Sequence, residues 1–103
     1  MVEVSVYTRD GGNELYAEGH ATGSPEVCAA VSAILTTLAG WLSNNPDSID
    51  EDVRPEIDLQ PGDAYIFCKG DARCNAVFEA AVIGLLQLQQ SYPDYIDCFI
   101  DER

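Results

Sequence analysis

The chain has 103 residues, of which 47% are hydrophobic and 22% charged, and this is the composition of one folded domain rather than of a disordered chain. Its 18 acidic residues outnumber 5 basic ones and give a net charge of −13. A surface of that sign repels phosphate, which argues against a nucleic acid or an anionic membrane as the partner. It would attract a basic protein partner or substrate, although acidity that only maintains solubility is an equal alternative.

Neither a secretory signal nor a membrane span is expected. The N-terminus lacks the charged and apolar regions of a signal, and no apolar run approaches the roughly 18 residues that cross a bilayer. We therefore expect a cytoplasmic protein whose four cysteines, Cys28, Cys68, Cys74 and Cys98, are reduced thiols. The chain has no C-x-x-C and a single histidine, so we expect no metal site and no cofactor.

The first segment predicts a β-hairpin. Apolar and polar residues alternate over residues 2–8, as in a half-buried strand. A turn signal at residues 10–13 then joins this strand to a second one over residues 14–21. His20 is expected at the end of the second strand.

A helix is predicted to follow at once. Ser24 suits the N-cap, Pro25 suits the first helical position, and Glu26 complements the positive end of the helix dipole. The helix is expected to run to about Ser43, with a broad apolar face made by Val27, Val31, Ile34, Leu35, Leu38, Trp41 and Leu42.

A second hairpin and a second helix are predicted in the rest of the chain. A strand over residues 53–59, weakened by Pro55, and a strand over residues 64–69 flank the turn at residues 61–63, which predicts a second hairpin. Asp71 is a plausible N-cap for a helix over residues 72–90.

The apolar stripe of this second helix is wide enough to predict packing on more than one side, by the sheet and by a partner subunit. A last strand is expected over residues 95–101. The result is a single domain over residues 1–103, of class α+β, with two helices on a mostly antiparallel sheet and the order β-β-α-β-β-α-β. The order of strands within the sheet does not follow from this pattern.

His20 and Cys28 are the residues with the clearest chemical potential. Cys28 is expected in the first turn of the first helix, where free backbone amides and the dipole stabilise a thiolate and can also receive an oxyanion. Those amides would come from the region of Val27 and Ala29. His20 can serve as the general base if the turn from Ala21 to Gly23 brings its ring to the sulfur.

Plainer interpretations stay open beside this one. Cys28 can be a small buried hydrophobe next to a surface histidine, which spacing alone favours. Ser32, one turn later, can hydrogen-bond the thiol or the histidine, or more commonly its own helix carbonyl. A thiol redox protein is a weaker alternative, because no second cysteine is placed to resolve a disulfide with Cys28.

The segment from Gly19-His20-Ala21 through a glycine-containing loop to Val27-Cys28-Ala29-Ala30-Val31-Ser32-Ala33 resembles the signature of the ribosomal-processing cysteine protease family (Prp, YsxB-like). The likeness in element order and length covers nearly the whole chain, and the specific motifs lie within residues 19–33. The resemblance implies a homodimeric α+β protein that cleaves a protein substrate. By position, His20 matches the catalytic histidine, Cys28 the nucleophile and Ser32 the serine that follows it.

The resemblance further implies substrate contacts in the loop, at Gly19, Ala21, Gly23 and Ser24. Two features depart from the family pattern. Only seven residues separate His20 from Cys28, where the family usually has a longer loop, and Pro25 stands at the position of an aspartate. We therefore expect a divergent or phage-type cysteine endopeptidase that trims a ribosomal or phage structural protein precursor. The alternative is a catalytically inactive, dimeric protein-binding module of the same fold.

Overall fold

The computed structural model describes residues 1–101, which form five strands and two helices in the predicted order. A short 3-10 helix, Pro46–Ser48, follows the first long helix. The elements are β1 (Val2–Arg9), β2 (Gly12–Glu18), α1 (Pro25–Asn44), β3 (Glu56–Gln60), β4 (Asp63–Cys68), α2 (Ala72–Ser91) and β5 (Ile96–Ile100).

The strands form one five-stranded sheet in the order β3-β4-β2-β1-β5. Three of the four neighbouring pairs are antiparallel, and β1 pairs with β5 in parallel. The α+β class and the mostly antiparallel sheet are thereby confirmed. The parallel pair arises because α2 carries the chain back across one face of the sheet before β5 begins.

The first hairpin turns through Asp10 and Gly11, both with positive φ (53° and 77°), which is the twist that a two-residue hairpin loop requires. The predicted extent of its second strand is wrong at both ends. β2 begins at Gly12 and ends at Glu18, because Gly19 has a φ of 94° and leaves the extended conformation. His20 therefore lies beyond the strand rather than at its end.

The second hairpin also starts later than predicted. β3 begins at Glu56, directly after Pro55, whose missing N–H cannot join a ladder of hydrogen bonds. In the described part of the chain its only sheet neighbour is β4, so the strand lies at an edge, where proline is tolerated. The remaining predicted boundaries differ from the observed ones by one residue: α1 ends at Asn44, β4 covers Asp63–Cys68, α2 ends at Ser91 and β5 covers Ile96–Ile100.

Both helices pack on the same face of the sheet, and the hydrophobic core lies between these two layers. The alternating residues Val2, Val4 and Val6 of β1 are at most 7% exposed. The helices contribute further buried residues, namely Val27, Val31, Leu35, Leu38 and Leu42 from α1 and Cys74, Phe78 and Leu85 from α2. Among residues 1–101 no helix lies on the opposite face of the sheet.

By length and composition alone, α1 is long and apolar enough to cross a membrane, with a mean hydropathy of 1.5. The expectation that no apolar run is that long is therefore wrong. The helix nevertheless has one buried stripe, which packs on the sheet from Val27 at its start to Leu42 near its end. That pattern is typical of a core helix.

The wide apolar stripe of α2 is only partly covered. Phe78 and Leu85 are buried against the core, whereas Ile83 is 49% exposed and Leu86 is 36% exposed. Packing of this helix on one side is thus observed. Packing of its other side by a partner subunit stays a prediction.

Candidate active site

A tight turn leads from β2 into α1 and sets the position of the helix start. The backbone N–H of Ser24 donates to the Ala21 carbonyl at 2.9 Å, and Gly23, with a φ of 91°, supplies the left-handed residue that such a turn needs. Ser24 then caps the helix, since its Oγ accepts from the Val27 N–H at 3.4 Å. Pro25 occupies the first helical position, as the sequence predicts.

Cys28 lies in the first turn of α1 and is half-buried. Its Sγ is 3.9 Å from the Ala21 carbonyl oxygen, so the thiol is directed back toward the turn that precedes the helix. Its N–H donates to the Ser24 carbonyl at 3.3 Å. The sulfur therefore lies near the positive end of the helix dipole, as a nucleophilic thiol requires.

His20 is exposed, and two hydrogen bonds hold the backbone at His20 and at the preceding Gly19. The Met1 backbone nitrogen donates to the His20 carbonyl at 2.7 Å, and the Gly19 N–H donates to the Gly62 carbonyl at 2.9 Å. The imidazole lies against Gly62 in the turn between β3 and β4. A Cβ at that glycine would be 2.7 Å from the imidazole Cε1 and would overlap Nε2.

One pocket of about 400 Å³ brings the two residues together. His20 and Cys28 both line it, and so does Ser32, one turn further along α1. Within residues 1–101 the imidazole of His20 makes no hydrogen bond, so its nitrogens are available to a ligand. Apolar side chains form much of the remaining wall, including Val2, Ala17, Val31, Leu35, Leu59 and Ala64.

The other predicted site residues divide into two groups. Gly19 lines the pocket, whereas Ala21, Gly23 and Ser24 shape the turn behind it. Val27 is fully buried in the core, and Ala29 is exposed away from the pocket lining.

The first-turn amides are largely occupied. The Val27 N–H is bonded to Ser24 Oγ, the Cys28 N–H to the Ser24 carbonyl, and Pro25 has no N–H at all. Among the described residues the Glu26 N–H makes no hydrogen bond. The one free amide, that of Glu26, is not among the residues that line the pocket, so what the helix start offers a developing oxyanion there is chiefly its dipole.

The β3–β4 turn is the part of the site that sequence reasoning missed. Residues 59–63 line the pocket opposite α1, and Thr36 adds to the wall from the helix. The glycine of Pro61-Gly62-Asp63 was interpreted as a turn residue only. Its positive φ of 73° fits that interpretation, but its contact with His20 depends on the pairing of β4 with β2, which no local pattern reveals.

The three other cysteines lie outside the pocket, and burial favours the protonated form of each. Burial raises the pKa of the Cys68 thiol from 9.0 to about 12 and that of the Cys98 thiol to about 11, with a further contribution from Asp97 in the second case. Burial also raises the pKa of Cys74. These residues pack in or against the core.

Over residues 1–101 no group of three or more histidine, cysteine, aspartate or glutamate side chains is arranged to hold a metal ion.

A family model described as cysteine protease Prp matches residues 1–97 of the chain. No curated protein matches the chain.

Solved structures resemble the whole chain. The ribosomal processing protease Prp from S. aureus, in complex with a covalently linked product peptide, superimposes with a TM-score of 0.80 at 19% identity, covering 98% of this chain and 100% of that one. The same protease in complex with a substrate peptide gives 0.75 at 18% identity, with coverages of 98% and 100%. SMU.848 from Streptococcus mutans gives 0.74 at 23% identity, with coverages of 100% and 99%. At these identities the likeness establishes the fold.

Proposed function

The chain belongs to the Prp family of cysteine proteases, and from that premise we propose that it is an endopeptidase that uses Cys28 as nucleophile and His20 as general base and acid. The observation that carries the proposal is that both side chains line one pocket, with the sulfur at the start of a helix. Family membership supports cysteine protease chemistry in general. The assignment of the two residues is our own.

The proposed reaction has two halves. His20 takes the Cys28 proton, the sulfur attacks the scissile carbonyl carbon, and the tetrahedral oxyanion is stabilised at the start of α1. The C–N bond then breaks, and the imidazolium gives its proton to the leaving amine. Water, deprotonated by His20, hydrolyses the resulting thioester, and the proton returns to the sulfur. The first half ends with the thioester and a neutral imidazole, and the second half restores the thiol of Cys28 and the neutral imidazole of His20.

The pocket favours substrates that are apolar next to the scissile bond and basic further away. Its wall is mainly apolar near Val31, Leu35 and Leu59, which suits an aliphatic or aromatic side chain. The net charge of −13 attracts a basic polypeptide. We propose a ribosomal protein precursor or a phage structural protein precursor as the substrate class, cut in the cytoplasm, where the thiol stays reduced.

Purified protein incubated with peptides from both precursor classes, followed by mass spectrometry, tests this proposal. We expect one defined cut that disappears in Cys28→Ser and in His20→Ala. Cys98→Ser is the matched control, because Cys98 is also half-buried but lies away from the pocket, and it should cleave normally. A cut that persists in Cys28→Ser would overturn the assignment.

A second candidate function is a binding module that retains the fold without the activity. The short connection between His20 and Cys28 favours it, since only seven residues separate them and Pro25 stands at the usual aspartate position. In that case the same peptides would bind, by isothermal titration calorimetry, without being cut. Binding without cleavage at any pH from 6 to 9 would favour the module over the protease.

We also infer a homodimer formed through α2. Ile83 and Leu86 lie three residues apart on the exposed side of the helix and are 49% and 36% exposed. Burying such a pair against a second copy would remove apolar surface from water. Light scattering after size exclusion should report a dimer that Ile83→Glu dissociates and that Gln90→Glu, which adds the same charge in the last turn of α2, leaves intact.

A further inference from the structure

Within residues 1–101 no helix covers the face of the sheet opposite α1 and α2, and this face carries an unusual set of side chains. The residues of β1 that alternate with its buried valines point to this face, and they line a shallow depression together with residues of β2. The lining residues are Glu3, Ser5, Tyr7, Glu14, Tyr16 and Glu18. Aromatic rings and carboxylates therefore share this surface, which we call the open face.

Four aromatic rings cross the open face in contact with one another. Phe99 on β5 is 6.1 Å from Tyr7 on β1, Tyr7 is 6.1 Å from Tyr16 on β2, and Tyr16 is 4.7 Å from Tyr65 on β4, all between ring centroids. Phe99 is 58% exposed. The aromatic row thus extends over four neighbouring strands, with Phe99 exposed and the three tyrosines half-buried.

A row of carboxylates runs beside the rings. Asp97 on β5 pairs in register with Glu3 on β1, which pairs with Glu18 on β2, and Glu18 pairs with Asp63 on β4. Like charges directly opposite each other destabilise a sheet. Within residues 1–101 none of these four carboxylates forms an ion pair. These opposed charges therefore destabilise the fold when no cation is bound to them.

Arg9 illustrates how this surface holds a cation. Its guanidinium carbon lies 4.3 Å from the centroid of the Phe67 ring, and its Nε is 3.1 Å from a carboxylate oxygen of Glu14. It also donates to the Tyr65 hydroxyl at 3.3 Å. The open face thus already binds one arginine of the chain itself, through the ring of Phe67 and the carboxylate of Glu14 together.

We propose that the open face is a docking surface for an extended, arginine-rich polypeptide segment. Its guanidinium groups would stack on the aromatic row and pair with the acidic row, as Arg9 does with Phe67 and Glu14. Neighbouring strands are about 4.8 Å apart, so the acidic row spans roughly 14 Å. Two or three basic side chains, spaced about 6.8 Å apart along an extended segment, fit that length.

The charge of the open face argues against a second copy of this chain as the occupant. Two such faces in contact would bring the two rows of Asp97, Glu3, Glu18 and Asp63 together without cations. A basic segment instead neutralises them and covers the exposed rings. Asp63, at the end of the acidic row, also lines the pocket of His20 and Cys28, whereas the residues of the open-face depression do not. The proposal does not require that the chain be a protease.

Fluorescence anisotropy with a labelled ten-residue peptide that alternates arginine and serine tests the proposal. A peptide with glutamine in place of arginine is the ligand control. The main variant is Glu3→Gln/Glu18→Gln, which removes two opposed charges and should fold at least as stably as the parent. Glu51→Gln/Asp52→Asn removes the same charge from an exposed loop and is the matched protein control.

We expect the arginine peptide to bind and the glutamine peptide not to bind. Glu3→Gln/Glu18→Gln and Tyr16→Leu should each weaken binding at least tenfold, whereas the loop variant should change it less than twofold. If Glu3→Gln/Glu18→Gln and Glu51→Gln/Asp52→Asn weakened peptide binding equally, the binding would depend only on the net charge of the protein. That result would overturn the proposal. So would a dimer, seen by light scattering, that Tyr16→Leu dissociates, because it would assign the open face to a second copy.

Discussion

The imidazole of His20 lies so close to Gly62 that a single methyl group at the glycine would overlap it. His20 follows the first hairpin and Gly62 lies in the turn of the second, and the pairing of β2 with β4 brings the two together. The β3–β4 turn therefore fixes where the proposed general base can be.

Gly62→Ala should impair catalysis through His20. Alanine adds a Cβ against the imidazole and must also adopt a φ of 73°, which costs about 1–2 kcal/mol. Displacement of the base by about an ångström is expected to slow peptide cleavage about ten- to a hundredfold. Cleavage rates measured at a temperature where circular dichroism reports a folded variant check this expectation.

Gly40→Ala is the control for that experiment. A Cβ at Gly40 meets nothing within 4 Å, and alanine is the better helix former. It should cleave at the parental rate and be slightly more stable. Parental cleavage by Gly62→Ala would mean that His20 tolerates displacement and is not positioned by the turn.

Ser24→Ala should lower stability by about 1 kcal/mol, because it removes the side-chain oxygen that caps the Val27 N–H. The urea midpoint of unfolding measures the loss. Ser43→Ala changes the same side chain near the other end of α1, where Oγ bonds only the Ala39 carbonyl, and should be nearly neutral. Equal midpoints for the two variants would mean that Ser24 does not cap the helix.

Alkylation of the native protein should select Cys28. Burial raises the pKa of Cys68, Cys74 and Cys98, so these thiols are protonated near neutral pH as well as shielded. Peptide mapping after brief exposure to iodoacetamide at pH 7.5 should locate nearly all of the label on Cys28. Denatured protein should be labelled at all four residues. Labelling of Cys98 at the rate of Cys28 would contradict this prediction.

The same raised pKa values predict that the fold weakens at high pH. A thiol that ionises at about 11 in the folded chain and near 9 in the unfolded chain stabilises the fold below pH 9, and this contribution is lost as the pH rises through 11. The urea midpoint should fall between pH 8.5 and pH 11. Cys98→Ala should reduce the fall, and an unchanged pH dependence in that variant would refute the role of Cys98.

Features encoded by neighbouring residues could be predicted from the sequence. Ser24 and Pro25 mark the start of α1 at the residue where it begins, and Asp71 caps α2, accepting from the Cys74 N–H at 3.0 Å. The alternation in residues 2–8 identified the buried valines of β1. Each of these signals acts within one turn of helix or along one strand.

Features that depend on distant pairing could not be predicted. The parallel contact of β1 with β5 and the approach of Gly62 to His20 join segments far apart in the chain, and hydrophobic periodicity carries no information on such partners. The end of β2 was misplaced for a related reason. Gly19 has a positive φ and lies so close to Met1 that a Cβ there would overlap the Met1 carbonyl oxygen, and a local pattern does not contain that contact.

The rate at which iodoacetamide alkylates Cys28, measured from pH 5 to pH 10 in the parent and in His20→Ala, tests the central claim most directly. It requires no knowledge of the substrate. If His20 activates Cys28, the parent should react near neutral pH faster than a free thiol, and His20→Ala should lose that excess. A parent that reacts no faster than a free thiol, with the same pH profile as His20→Ala, would contradict the proposed pair.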